Sequence, residues 1–200
     1  DLSRILAFTD GVFAIAITLL VLQIEVPSGM TGNGDLIHEL GEMAPDFFAF
    51  GISFAVIGLY WMQHHRLMRM VVEYDRRLIG LTLLYLAWIV LLPFSSQLIG
   101  EYGSDVKLTS VIYIVNLALI AISQALMIKA IIGRNLGDPD YESDLQLTLR
   151  SSYFVSAVFI LTAPVALVLG GWTPLLWFLL MPLDPWQRKR DRVYKDTAES

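Results

Sequence analysis

Cysteine is absent from all 200 residues, which excludes a disulfide framework, thiolate metal sites and cysteine catalysis. Histidine occurs only at His38, His64 and His65, too few and too scattered for a His-Glu-x-x-His metal site. No phosphate-cradling glycine loop and no Gly-x-Ser-x-Gly elbow is present, so no enzyme activity and no cofactor are expected. Charge is scarce as well: 16% of the residues are Asp, Glu, Lys or Arg, against about 25% in a typical soluble domain. The formal charge of −5 argues against nucleic acid as a partner. With hydrophobic residues at 56% and a mean hydropathy of +0.60, too little polar side chain remains to coat a globule. The exterior is expected to face lipid.

Six apolar segments can be read, making the fold class an all-α integral membrane protein with six transmembrane helices. They run from about Arg4 to Val26, Pro45 to Met68, Leu78 to Ile99, Val106 to Ile132, Leu145 to Gly170 and Trp172 to Trp186. A helix needs roughly 20 residues to cross a 30 Å hydrocarbon core. Five segments meet that length; the last is shorter and carries Pro174 and Pro182. The first run is too long for a cleavable signal peptide and is followed by Gln23, Ile24 and Glu25 in place of small residues. Placing the N-terminus, the second and fourth connections and the C-terminus on one side gathers thirteen of the fourteen Lys and Arg there, leaving Lys107 opposite. By the positive-inside rule that side is cytoplasmic, so both termini are expected there and the sixth segment must cross. This divides the chain into a transmembrane domain over 1–187 and a basic cytoplasmic tail over 188–200. Glu25, Asp35, Glu39, Glu42, Asp46, Glu101 and Asp105 fall on the other side. They serve loop solubility or raise the cation concentration at a pore mouth, for which Glu25 is best placed.

The first segment carries the chemistry. At 100° per residue, Phe8, Gly11, Ile15, Thr18, Leu19, Leu22 and Val26 share one stripe with Arg4 at its inner end. Asp10 points elsewhere, roughly 140° from Ile15 by the helical period. An intramembrane carboxylate needs a partner. The second segment supplies Trp61, Gln63, His64 and His65 at a similar depth. Adjacent histidines alternate sides of a helix, so at most one should join Asp10, and His64, three residues after Trp61, is the expected one. The network is read as a register lock, with proton sensing by His64 or His65 as the sharper alternative. The apolar stripe, for its part, suits either ordinary helix packing or a ring of copies around an axis.

The run Arg4…Phe8-Thr9-Asp10-Gly11-Val12-Phe13-Ala14-Ile15 resembles the signature of the transmembrane protein 175 family, an arginine followed four residues on by Phe-Ser-Asp. Thr9 stands where serine is usual. That family contains the lysosomal potassium channel of animals and shorter prokaryotic relatives. The resemblance implies a potassium-permeable cation channel without a Thr-Val-Gly-Tyr-Gly filter, a string this chain lacks. It further implies that first helices of a symmetric oligomer line a central pore, narrowest at Ile15, with a hydroxyl layer at Thr18 and apolar positions at Leu19 and Leu22. Arg4, Phe8, Thr9 and Asp10, with Trp61 and His64, would form the structural network. Animal members carry two repeats and dimerise; one repeat here implies a homotetramer, placed in the cell (inner) membrane of a prokaryote. The partners implied are potassium and other monovalent cations and the lipid bilayer. The competing class is a proton- or sodium-coupled secondary transporter using Asp10, which would be expected to show internal repeats and a broken helix near the midplane.

Among the remaining features, Arg66 and Arg69 read as a positive-inside anchor, and Asn116, Ser123, Gln124, Ser151, Ser152, Ser156 and Thr162 as glue between helices. Pro93 and Pro164 are expected to kink their helices.

Overall fold

The computed structural model describes residues 2–29, 31–102 and 106–169. The sixth apolar segment, the tail, Asp105, Trp172 and Trp186 lie outside the described residues. The described residues form six α-helices and one 3-10 turn: α1 Leu2–Val21, α2 Asn33–Glu42, α3 Ala44–Met68, α4 Arg76–Tyr102, α5 Lys107–Gly133, the turn Pro139–Tyr141, and α6 Glu142–Leu169. All but α2 are long and apolar enough to cross a membrane. Their hydrogen bonds close within each segment, as a backbone in hydrocarbon requires.

Which face each helix buries follows its sequence period. In α1 the buried residues are Thr9, Phe13, Ala16 and Leu20; in α3 they include Ser53, Ile57, Tyr60, His64 and Leu67, again three or four apart. α5 is buried nearly all round, from Thr109 to Ile131, and forms the centre of the bundle between α4 and α6. α1 packs on α3 and α4 at the periphery. Where the surroundings are apolar, packing and interhelical hydrogen bonds hold such helices together more than exclusion from water does.

Two prolines sit inside helices that continue through them, Pro93 in α4 and Pro164 in α6. Near Pro93 a neighbour satisfies the disturbed backbone. With its amide oriented so that both ends are paired, Asn116 of α5 donates to the Trp88 carbonyl at 3.0 Å. It also accepts from the Leu92 N–H at 3.2 Å and the Ser95 hydroxyl at 3.1 Å. In an ideal helix that carbonyl and that N–H pair with each other, so Asn116 grips the turn just before the proline.

The connections 69–75 and 134–141 meet at one end of the bundle. Val71 and Gly137 form an isolated antiparallel bridge, with Val72 N–H donating to the Leu136 carbonyl and Asp138 N–H to the Met70 carbonyl, both at 2.9 Å. Asn135, at φ 53°, ends α5 in the left-handed region; behind it Leu136 N–H returns to the Ile131 carbonyl at 3.0 Å, a Schellman closure. Asp75 starts α4 by accepting from Leu78 N–H at 2.7 Å, and it also pairs with Arg134. The Leu78 N–H, with the Arg134 guanidinium adding to it, holds the Asp75 carboxyl below the usual range.

Gly137 is the tightest point of this clasp. A Cβ there would lie 2.7 Å from Leu145 Cδ1, 3.1 Å from Ile131 Cγ2 and 3.4 Å from the Met70 carbonyl oxygen. Gly137→Val is therefore expected to destabilise the fold by about 1–3 kcal/mol, the range for overpacking a filled site. A thermal melt followed by tryptophan fluorescence in detergent checks this; an unchanged melting temperature contradicts the close approach.

Two features differ from the sequence reading. α1 stops at Val21, five residues before Val26, because Gln23 N–H and Ile24 N–H turn back to the carbonyls of Leu20 and Val21, each at 3.2 Å. Pro27 also disfavours helix at Val26. The connection after α1 contains α2, whose Asp35 accepts from the Thr31 hydroxyl at 2.6 Å and the Thr31 N–H at 3.3 Å. Those donors hold the Asp35 carboxyl below the usual carboxylate range, the side-chain bond most of all.

Candidate functional site

Because Thr9, Phe13, Ala16 and Leu20 turn inward, the opposite face of α1 turns out. Ile15 is 59% exposed in the single chain and Leu19 39%. Gly11 and Thr18 lie exposed beside them, and a Cβ on Gly11 would meet nothing within 4 Å. Thr18 Oγ1 donates to the Ile15 carbonyl at 2.9 Å. Its proton is thus committed to its own helix, and its lone pairs are left on the outer face. Leu22, in the turn after α1, is 76% exposed, and Glu25 lies exposed in the extended stretch that follows. Hence the predicted stripe is one continuous outward face from Gly11 to Leu19, while Leu22 and Glu25 are carried off the helix. An apolar face at the edge of a bundle is suited to lipid or to further copies of the same helix.

Asp10 lies to one side of that face, toward α3. Trp61 Nε1–H donates to its Oδ1 at 2.8 Å, joining the two elements expected to meet. His64, the histidine expected beside Asp10, feels the Asp10 charge but sits among aromatic rings. His65 stacks on Trp61, ring centroids 5.6 Å apart. His64 is buried between aromatic rings, stacked on Tyr85 of α4 at 5.2 Å and tilted against Phe13 of α1 at 6.0 Å, and its Nε2 has no hydrogen-bond partner among the described residues. The reason is angular: four residues advance a helix by about 40° beyond a full turn, three fall about 60° short. His65 consequently stays on the Trp61 side, while His64 falls on the buried stripe with Tyr60 and Leu67.

The other predicted network members separate. Thr9 is buried and its hydroxyl donates to the Ile5 carbonyl at 2.9 Å, a bond within its own helix. Phe8 is 55% exposed on the α4 side of α1. Arg4 is exposed and makes no hydrogen bond or ion pair with a described residue. Two residues outside the sequence reading of the site help to place α1. Gln23 donates from Nε2 to the Pro93 carbonyl at 2.7 Å, tying the end of α1 to α4, and Tyr85 donates to the Tyr60 carbonyl at 3.3 Å behind His64. A glutamine at the end of an apolar span was the available signal for the first; nothing local marks the second. Among the described residues no group of three or more His, Asp or Glu is placed to hold a metal ion.

Comparison with known proteins bears on the same region. The family model described as endosomal/lysosomal potassium channel TMEM175 matches residues 4–93. A protein of Streptomyces collinus named a potassium channel is 40% identical over 128 residues, covering 64% of this chain and 61% of that one. A Gallus gallus protein named endosomal/lysosomal proton channel TMEM175 is 41% identical over 107 residues, covering 50% of this chain and 21% of that one. The chain thus spans less than two thirds of the length of the curated relatives it matches. A solved structure, described as a lysosomal potassium-selective channel TMEM175 homolog from Chamaesiphon minutus, superposes with a TM-score of 0.79 at 27% identity. That superposition covers 93% of this chain and 97% of the other.

Proposed function

We propose that the chain, matched over residues 4–93 by the TMEM175 family model, belongs to that family and forms a potassium-permeable cation channel in which α1 of each subunit lines a central pore. The observation that carries this reading is the outward face of α1. Ile15 and Leu19, exposed in the single chain, become stacked apolar rings when copies surround a rotation axis. Such rings hold or release water cooperatively, and the hydration an ion must shed there discriminates among cations. Thr18 adds a layer of hydroxyl oxygens next to them. Leu22 and Glu25, beyond the helix end, form the mouth rather than the wall, where carboxylates concentrate cations. Asp10 and Trp61 fix α1 against α3, so that the lining face is held in one orientation. A homotetramer supplies four such faces.

The inner end of the channel is the end where α1 begins and where 69–75 meets 134–141, because it gathers Arg66, Arg69, Arg76, Arg77 and Arg134. The membrane is the cell membrane of a prokaryote. No reaction is catalysed.

Reconstitution into a planar bilayer under a potassium/sodium gradient tests the proposal. Stepwise unitary currents are expected, reversing toward the potassium equilibrium potential. Slow, saturable exchange without unitary steps is the signature of a coupled transporter built on Asp10 and would replace this reading; no flux at all would leave only a scaffold.

A further inference from the structure

Side chains from three helices converge on one stretch of α4. Asn116 of α5 donates to the Trp88 carbonyl at 3.0 Å and accepts from the Leu92 N–H at 3.2 Å. Gln23, just past the end of α1, donates to the Pro93 carbonyl at 2.7 Å. Ser53 of α3 meets the Ser96 hydroxyl. We propose that Asn116 and Gln23 are positioning residues for conduction: they fix the Pro93 carbonyl, which holds the outer end of α1 back from the pore axis. The inference rests on the channel reading above and names what keeps that pore open.

This stretch of α4 cannot hold its own shape. Proline has no N–H, so the Ile89 carbonyl one turn back loses its partner, and the ring presses against it. Asn116 occupies the preceding rung, between the Trp88 carbonyl and the Leu92 N–H that an unbroken helix pairs with each other. Two consecutive rungs therefore lack the ordinary helical bond, and a helix weakened in this way bends unless neighbouring side chains fix it. Asn116 is buried in α5, the centre of the bundle. It thus references α4 to the most enclosed helix, and the carbonyl that Gln23 grasps lies one residue beyond its Leu92 contact.

The direction of the pull follows from the packing. Phe13, on the buried face of α1, has its ring centroid 6.2 Å from that of Tyr85 of α4, whereas Ile15 and Leu19 turn outward. With the outward face toward the axis, α4 stands behind α1, and the bond from Gln23 to Pro93 draws the end of α1 away from the axis. An opposite force acts on the same residues. Leu22, next to Gln23, is 76% exposed in the single chain, and with Leu19 it buries apolar surface when neighbouring copies close on one another. The tether opposes that collapse. Without it the apolar rings come together and exclude water, which stops conduction.

The experiment pairs single-channel recording of the full chain in a planar bilayer with spin-label distances between copies. The chain has no cysteine, so Glu25→Cys places one label per copy at the mouth. Gln23→Met keeps the side-chain length and removes the donor. It is expected to lower the open probability about tenfold, the order for one lost buried hydrogen bond, and to shorten the distances between labels. The potassium-over-sodium preference should stay unchanged, since Ile15 lies farther in. Asn116→Leu, whose lost bonds all go to α4, should do the same. The double variant should fall no further, because both side chains act through one carbonyl. Ser156→Ala, which removes a bond within α6 to the Ser152 carbonyl at 2.7 Å, should behave as wild type. Unchanged open probability and distances in assembled Gln23→Met would overturn the proposal. So would an additive fall in the double variant, or an equal fall in Ser156→Ala. If Asn116→Leu does not assemble, Gln23→Met decides. A wild type without unitary currents removes the channel reading; shortened label distances in Gln23→Met would still establish the tether, and unchanged ones would end both.

Discussion

Ile15→Asn is expected to raise unitary potassium conductance about tenfold and to bring the potassium and sodium reversal potentials together. Ile15 sits at the middle of the outward face of α1, 59% exposed in the single chain, with Gly11 one turn before it and Leu19 one turn after. A ring of isoleucine side chains offers an ion no oxygen to replace lost water. The barrier there is dominated by dehydration, which differs between potassium and sodium. An amide supplies both a donor and an acceptor at the same position and nearly the same length. Lowering the barrier by about 1.4 kcal/mol multiplies the rate tenfold, and the selectivity that dehydration supplied falls with it. Recording wild type and variant in the same bilayer under opposed potassium and sodium gradients measures both. Currents and reversal potential indistinguishable from wild type would remove Ile15 from the conduction path. Ala14→Asn is the control: Ala14 is also exposed but lies about 100° away around the helix, and a similar gain there would mean that any polar insertion loosens the bundle.

Asp10→Ala is expected to reduce the yield of assembled oligomer severely while changing ion preference little. The carboxylate accepts the Trp61 indole N–H at 2.8 Å and so joins α1 to α3. Removing it strands a donor that has no water to turn to in hydrocarbon, a loss of about 1–3 kcal/mol. Since α1 is peripheral and held by α3, α4 and the Gln23–Pro93 bond, that is a large part of what orients its outward face. Asp10→Asn separates charge from geometry. Its amide oxygen still accepts from Trp61, so assembly should recover, as read by size-exclusion chromatography with light scattering. Should Asp10→Asn assemble yet lose all flux, the negative charge itself acts in transport, and the structural assignment of Asp10 is backwards.

Legibility varied with the range of the interaction. The spans at α3, α4, α5 and α6 could be read within a few residues, because twenty or more apolar residues between charged breaks is a local property of the chain. The meeting of Asp10 with Trp61 was legible too: a carboxylate in a span requires a donor, and antiparallel spans placed Trp61 at the same depth. The aromatic surroundings of His64 were not, because spacing to Trp61 alone does not say which side of α3 faces α4. Burial of Ser53, Ile57, Tyr60 and Leu67 decides it, and His64 lies on that stripe against Tyr85. Helix α2 was missed because Gly32, Gly34 and Gly41 surround its Leu36, Ile37 and Leu40, and none of its residues is buried.

Composition, span length, the placement of basic residues and the phase of the α1 stripe were settled by the amino acids in order, since each depends on the chain's encounter with lipid and on the fixed 100° turn of a helix. The end of α1 at Val21, the clasp of 69–75 with 134–141 around Gly137, and the separation of Thr9 and Arg4 from the Asp10–Trp61 bond belong to the tertiary structure. Each is a contact between segments tens of residues apart. Its geometry is set by how helices pack against one another, a quantity no single helical period contains.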